Sequence, residues 1–552
     1  MTRSRDIADS TKTLDVDGGT IKLDGNYPVA TGNVALGDTA LDSLTSGTYN
    51  TAVGHNAGTA ITTGGYNNFF GSFAGDVITD GSANVAIGYG ALSSDTRGQS
   101  SVAIGHAALE SQNFTSSADS FNTAVGKSAG NKVTTGTRNT LIGGIAGDAL
   151  TTGGDNTVLG YNALTSDTLG SKTVAIGRSV LSSQNFTSAT DTYNTAVGYG
   201  AGGQVTTGLN NTLIGGLAGD ALTDADENVA VGQNALTSDT RGSQSTAIGR
   251  GALTNQNFTS ATNSLNTAVG FNAGGAVTTG TENTLIGGLA GDAITTGSYN
   301  TAVGKDSSGK VTTGSHNVSV GRMALRENTT GSNNTALGRS ALETNTTGYD
   351  NTAVGYAALN GVTTGYSNTT IGKSAGSLIT TGVSNTIVGR FDGNQGGLDI
   401  RTSSNNIVLS DGAGTPRVHV TSNGRFRAPG VWDATTSASA NVVVTGNQGQ
   451  LERSTSSLRY KNTVNNATHG LTELMTLRPV TYKGNNDGDT IFGGLIAEEV
   501  HDAGLTEFVT YDAEGLPDAL AYSNMVSLCI KAVQELSAKN DALEARIATL
   551  EG

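Results

Sequence analysis

The clearest candidate chemistry in the 552-residue chain lies in RSTSSLRYKN (453–462), where the hydroxyls of Ser456 and Ser457 stand close to Arg459 and Lys461. A serine hydroxyl becomes a nucleophile only when a base removes its proton. Lysine can be that base only where burial or a neighbouring cation favours the neutral amine, and Arg459 could help supply such charge. A separation of five residues puts Ser456 and Lys461 on different faces of a helix and on opposite faces of a strand. A working pair must therefore be closed by a turn or between chains, so its activity would wait for the assembled geometry.

Other chemistries have less to stand on. Glycoside hydrolysis needs two carboxylates about 5 to 9.5 Å apart, whereas the repeats are poor in acids, and Asp148 and Asp220 recur in GD motifs that read as corners. Cys529 is the single cysteine, and the six histidines show no spacing that would hold zinc, so no metal or other cofactor is expected. A net charge of −15 and a pI near 4.8 leave no basic stripe for nucleic acid. No window approaches the roughly 20 apolar residues of a membrane span. The N-terminal MTRSRDIADS has no apolar run behind its basic residues, so neither membrane insertion nor a classical export signal is expected.

The elements that position these groups follow from composition and period. With 79 glycines, 5 prolines, 5% aromatic and 14% charged residues, most of the chain cannot build bulky side-chain cores. Abundant Val, Ile, Leu and Thr separate it from a disordered linker, and a regular fibrous β architecture is the expectation. The motif NTAVG and its variants return every 17 residues from Asn33 to Asn385, with a step of 21 after Ser101, Thr173 and Ser245. The longer steps create a 72-residue super-repeat, visible where Asn122, Asn194 and Asn266 each open NTAVG.

Counting the Asn as position 1, position 5 is Gly in all 21 units, from Gly37 to Gly389. A short β-branched segment, a glycine corner, small residues and TTG read as one coil of a β-solenoid spanning 33–389. Seventeen residues are too few to enclose a core, so stacked coils and neighbouring chains are expected to bury the Ala, Val and Ile faces. The recurrent Asn is expected to stack as an in-register ladder. At about 4.8 Å per coil, 21 coils make a rod on the order of 100 Å long.

The three longer units carry their extra residues in SQNFTSSADSF (111–121), SQNFTSATDTY (183–193) and NQNFTSATNSL (255–265). Phe114, Phe186 and Phe258 recur there every 72 residues. Either each ring tucks back onto its own coil, or the loops present an aromatic anchor to a receptor. From 390 to 455 the period fails, and DG, SNG and PG turn signals suggest a β-rich collar of short strands and hairpins. From 456 to 552 composition becomes that of a small α/β domain. Its last part places Val526, Cys529, Val533, Leu536, Asn540, Leu543, Ile547 and Leu550 at 3-4 spacing. That spacing predicts a coiled coil over 525–552, with Asn540 fixing register and Cys529 a buried small residue.

Two resemblances add to this reading. SVAIG (101–105) and STAIG (245–249) make the units similar to the head repeats of trimeric autotransporter adhesins, which implies a trimeric β-roll. In the C-terminal block, SSLRYKN (456–462), LMTLRPVTYKG (474–484), GGLIAEEV (493–500) and YSNMVSLCIKAVQEL (522–536) occur in order. This set resembles the self-cleaving intramolecular chaperone domain that ends phage tailspikes and fibres. The resemblance implies Ser456 as nucleophile, Lys461 as general base, Arg459 in support, and cleavage between Thr455 and Ser456 that releases the last 97 residues after trimerisation. It selects Ser456 over Ser454 and Ser457, and it departs from the family at Glu498, where Gln is common. SRDIADS (4–10) resembles a segment at the head of phage fibre proteins, which implies that residues 1–32 attach to a baseplate or tail protein of the virion.

The expected protein is therefore mainly β: a trimeric β-solenoid rod, a collar, and a chaperone domain ending in a coiled coil. Its expected role is that of a homotrimeric phage tail fibre, made in the host cytoplasm and carried on the virion, which binds a host-surface receptor such as a glycan. It would act once on itself as a Ser-Lys protease. A bacterial trimeric surface adhesin and a glycan-degrading tailspike are the alternatives.

Overall fold

The structure, a computed structural model, describes residues 31–428, 461–485, 488–512 and 514–552, with the backbone of four further short strands, Thr13–Asp15, Lys22–Asp24, Val442–Thr445 and Gln450–Arg453. The chain divides into two compact units, Met1–Ala434 and Thr435–Gly552.

The first unit is a β-solenoid of about 22 turns. Each coil contributes one three-residue strand at positions 2 to 4, and successive strands pair in parallel with no slip: Thr51 with Asn68, Ala52 with Phe69, Val53 with Phe70. The expected Asn ladder is present. Asn67 donates its backbone N–H to Asn50 Oδ1 at 3.0 Å and its Nδ2 to Gly81 O at 2.9 Å, and Asn84 repeats both bonds on Asn67 and Gly98. Each buried amide thereby satisfies one strand entry and one carbonyl at position 15, which a buried backbone requires. Threonine at position 13 forms a second ladder, Thr62 Oγ1 donating to Thr79 O at 3.1 Å and Thr79 Oγ1 to Thr96 O at 3.0 Å.

The glycine at position 5 is required on two counts. Gly54 has φ +139°, and a Cβ there would lie 2.6 Å from the carbonyl carbon of Gly71 in the next coil. Inside the coil, size is traded between positions 3 and 9. Where position 3 is Phe69 or Leu141, glycines of adjacent turns make room: a Cβ on Gly58 would come within 2.8 Å of Phe69, and one on Gly130 within 2.5 Å of Leu141. Ala52, Ala57 and Ile61 are fully buried in the single chain. The expectation that neighbouring chains help to cover the small apolar faces is thus corrected for positions 3, 8 and 12, because the turn itself wraps them.

The 21-residue coils that begin at Ser101, Thr173 and Ser245 repair a gap in the ladder. Ser101 receives a bond from the ladder, its N–H donating to Asn84 Oδ1 at 2.9 Å, but it has no amide to pass on. The extra residues bring in Gln112, which donates to Ser101 Oγ at 2.8 Å and to Asp95 Oδ2 at 2.6 Å and accepts from Asn122 Nδ2 at 2.8 Å. The same buried set returns as Asp167, Gln184, Thr173 and Asn194, and as Asp239, Gln256, Ser245 and Asn266. Burial pushes the Asp167 carboxyl above the usual carboxylate range, against the bonds it accepts from Gln184 and from backbone N–H groups.

The solenoid runs one coil further than its period. Strand Ile407–Ser410 pairs in parallel with Thr386–Val388, and Asn406 joins the ladder on Asn385 at 3.0 Å after a step of 21 residues. Position 5 of this coil is Ser410 rather than Gly. The expected hairpins follow, Ile407–Ser410 with Pro416–Val420 and then Phe426–Arg427, all antiparallel. His419 Nε2 meets Asn406 Oδ1 at 3.1 Å and closes the end of the ladder.

In the second unit, helices α1 (Leu471–Leu474), α2 (Ala497–Asp502) and α3 (Tyr522–Glu551) alternate with two hairpins, Val480–Tyr482 with Phe492–Gly494 and Val509–Tyr511 with Pro517–Leu520. Val500, Leu505, Phe508, Val509, Met525 and Leu528 form its core. Only the first third of α3 reaches that core, through Met525, Leu528 and Ala532.

Candidate functional site

Thr455, Ser456, Ser457 and Arg459 lie outside the described residues. Lys461 is exposed and outside any helix or strand. Downstream, a cleft of about 600 Å³ is lined by Arg478, Tyr482, Glu498, Asp518 and Tyr522 among others, and so includes the Glu that replaces the resembled family's Gln. Tyr522 Oη ties α3 to the adjoining strand, accepting from Leu495 N at 2.7 Å and donating to Leu495 O at 3.2 Å. Glu535 of α3 accepts from Leu471 N at 2.9 Å. His469 Nδ1 meets Glu507 Oε1 at 2.7 Å, and that hydrogen bond raises the imidazole above its ordinary value.

Beyond the core contacts, α3 carries an uncovered apolar seam. Val526, Val533, Leu536, Leu543, Ile547 and Leu550 are all more than half exposed. Cys529, expected to be covered in the coiled coil, is exposed in the single chain, where Met525, Leu528 and Ala532 are the buried residues of the helix. With Val526, Ile530 and Val533 it lines a shallow apolar groove of about 330 Å³. Asn540 is also exposed and donates Nδ2 to Glu544 Oε1 at 2.9 Å.

The three loop phenylalanines are not exposed anchors. Phe114, Phe186 and Phe258 retain 7%, 5% and 6% of their surface, and each backbone N–H donates to the buried Asp of the preceding coil, Phe114 to Asp95 at 3.1 Å. The tucked arrangement holds, with the backbone N–H of each Phe bonded into the repair network. The exposed large apolar side chains of these loops are Phe121, Tyr193 and Leu265, the last residue of each long coil, immediately before the Asn.

Two surface rows run the length of the solenoid. Position 4, the outward end of each strand, is Val, Ile, Leu or Phe in every coil from Leu36 to Leu409, and none of these side chains is buried. Position 6, just past the glycine corner, is exposed in each coil from His55 to Arg390 where it carries a basic or aromatic side chain. Sequence reading had found the period but not these rows, although their signal is present once residues are aligned by position. Among the described residues no group of His, Cys, Asp or Glu could hold a metal ion, and no helix is long and apolar enough to cross a membrane.

No known protein family matches the chain, and no curated protein or solved structure is detectably similar to it.

Proposed function

We propose that the chain is a homotrimeric attachment fibre of a phage tail, with the solenoid as permanent shaft and the C-terminal unit as a disposable assembly device. The observation that carries this reading is the unbroken apolar row at position 4, which all 22 coils contribute. Partly exposed apolar side chains on that scale approach the ~800 Å² per partner of a stable interface. A partner must be as straight as the row and repeat at one coil rise, and another copy of this chain in register meets both demands. The open seam of α3 supports the same conclusion from a separate unit, since apolar residues at 3-4 spacing pack against matching helices.

Cleavage between Thr455 and Ser456, with Ser456 as nucleophile, Lys461 as base and Arg459 in support, rests on the resemblance of the C-terminal motifs. A separation of five residues keeps Ser456 and Lys461 off one face of a helix or strand, so the pair is closed by a turn or between chains, and closure between chains makes cleavage follow assembly. Residues 1–32 would join the shaft to the virion and the shaft would meet a cell-surface receptor. The tailspike alternative gains nothing from Asp148, which accepts from Thr165 Oγ1 at 2.5 Å, or from Asp220, bonded likewise by Thr237.

The test is wild type beside Ser456→Ala on denaturing gels, with native mass measurement of both. Wild type should be a trimer that has lost a 97-residue fragment, and Ser456→Ala a trimer of whole chains. An uncleaved wild-type trimer sinks the protease and leaves the fibre standing; a monomer sinks both.

A further inference from the structure

The position-6 row is unlike every other charged row on the shaft. Of the 16 Lys and Arg residues between Asn33 and Ser410, eight stand at this one position, in a chain of net charge −15. They are densest over six consecutive coils: Lys305, Arg322, Arg339, Tyr356, Lys373 and Arg390, all exposed. With about 4.8 Å between coils, these side chains form one ladder on the order of 25 Å long.

Elsewhere the shaft neutralises charges that stack from coil to coil. Arg138 binds Asp155 of the next coil, with Nη2 to Oδ2 at 2.9 Å. Arg326 meets Glu343 at 3.1 Å, Lys310 meets Glu327 at 2.5 Å, and Asp224 meets Arg241 at 3.4 Å, each pair 17 residues apart. Like charges stacked directly across strands are destabilising, so alternation is the expected solution. Position 6 departs from it. Lys305 has Asp306 beside it at 3.8 Å, but among the described residues no carboxylate lies within salt-bridge distance of Arg322, Arg339, Lys373 or Arg390. An uncompensated ladder built in register wants an anion from outside.

The geometry points to a binding site for a linear acidic polysaccharide, laid along the shaft on the position-6 ladder between Lys305 and Arg390. This rests on the attachment reading and names the receptor chemistry. The guanidinium of Arg339 lies 5.7 Å from the Tyr356 ring centroid. The exposed ring adds apolar surface beside a sugar, while Arg339 and Lys373 in the adjoining coils take the carboxylates. Arg178 over Tyr199 and Arg250 over Phe271 repeat the Arg-aromatic pairing in earlier coils at 5.9 and 5.8 Å. Duplex nucleic acid fits poorly, since its charges fall every ~1.7 Å and the rest of the chain is acidic. A second copy of the chain fits poorly as well, because none of its rows offers a matching run of acids: Glu327 and Glu343 occupy different positions and are already paired.

The test uses the full chain and three probes: alginate as a polyuronate, dextran as its neutral counterpart, and duplex DNA. Wild type should bind alginate and not dextran, less so as salt rises. Arg322→Gln/Arg339→Gln/Lys373→Gln/Arg390→Gln should weaken that binding roughly tenfold or more, as loss of four exposed charge contacts requires. Arg138→Gln/Lys172→Gln, which removes paired cations, should bind as wild type does. The proposal is overturned if wild type ignores alginate, if it prefers DNA, or if both variants bind alike. It is also overturned if the quadruple variant changes oligomeric mass, which would place the ladder between copies. Failure on alginate with an intact, self-cleaved trimer leaves the fibre reading in place; a monomer that still binds alginate through the ladder does the reverse.

Discussion

The solenoid and the C-terminal unit solve the same problem of covering apolar surface in opposite ways. In the solenoid each coil closes its own interior with Ala, one larger side chain and a shared Asn, and presents an aliphatic or Phe side chain outward at position 4. In the C-terminal unit a small core holds the start of α3, and among the described residues most of that helix's apolar side chains are more than half exposed. The solenoid's stability is therefore local and repeated, whereas most of the C-terminal helix adds nothing to the core of its own unit. On the proposed reading, that difference in design is a difference in dependence on partners.

The comparison breaks most severely at the glycine corner. Gly321 has φ +133°, and a Cβ would sit 2.6 Å from backbone of Gly338. Gly321→Val should cost about 4 kcal/mol or more, seen as loss of the thermal transition of the shaft. The next effect is at the ladder. Asn334→Ala removes the acceptor of the buried Asn351 N–H and one of the two donors to Gly348 O, the other being Asn345 Nδ2, at about 1 to 3 kcal/mol. Hydrogen exchange should show faster opening of the adjoining coils, while Asn540→Ala on α3 leaves the thermal transition within about 0.5 kcal/mol.

On the C-terminal side, Leu543→Lys/Ile547→Lys should leave the fold of one chain intact, because both residues are exposed in it. Their effect should appear as loss of oligomer and, with it, of the released fragment on a denaturing gel. The smallest effect concerns pH. Burial, and then the charge of Arg427, hold His419 below its ordinary value of 6.5. The neutral ring is the one that folds well, so its contribution is complete above about 6.5 and is lost as pH falls through the lowered value. His419→Gln should flatten that acid limb by about 1 kcal/mol or less in unfolding titrations.

Much of the shaft was legible because one period fixes one coil. The Asn, the Gly of position 5 and the TTG each mark a hydrogen bond or a backbone turn that no other residue type supplies as well. The 22nd coil escaped because Ser410 stands where the glycine should be and the step is 21. Phe114 and its counterparts could not be assigned from sequence, since each is tied through its backbone N–H to an Asp of the preceding coil, and that network joins residues 17 and 19 apart. The position-6 ladder was hidden for a different reason: its members are isolated in sequence and become neighbours only when coils stack. The Ser456 pair remains a reading of motifs, as Ser456 lies outside the described residues.

The central claim is that the position-4 row joins copies of the chain, and native mass spectrometry of Ile286→Lys/Val303→Lys/Val320→Lys beside wild type tests it most directly. These residues lie on successive coils, with their side chains facing out of the sheet. The account predicts three chains for wild type and, for the variant, a single folded chain with unchanged β content. A wild type of one chain, or a variant that remains a trimer, would contradict it.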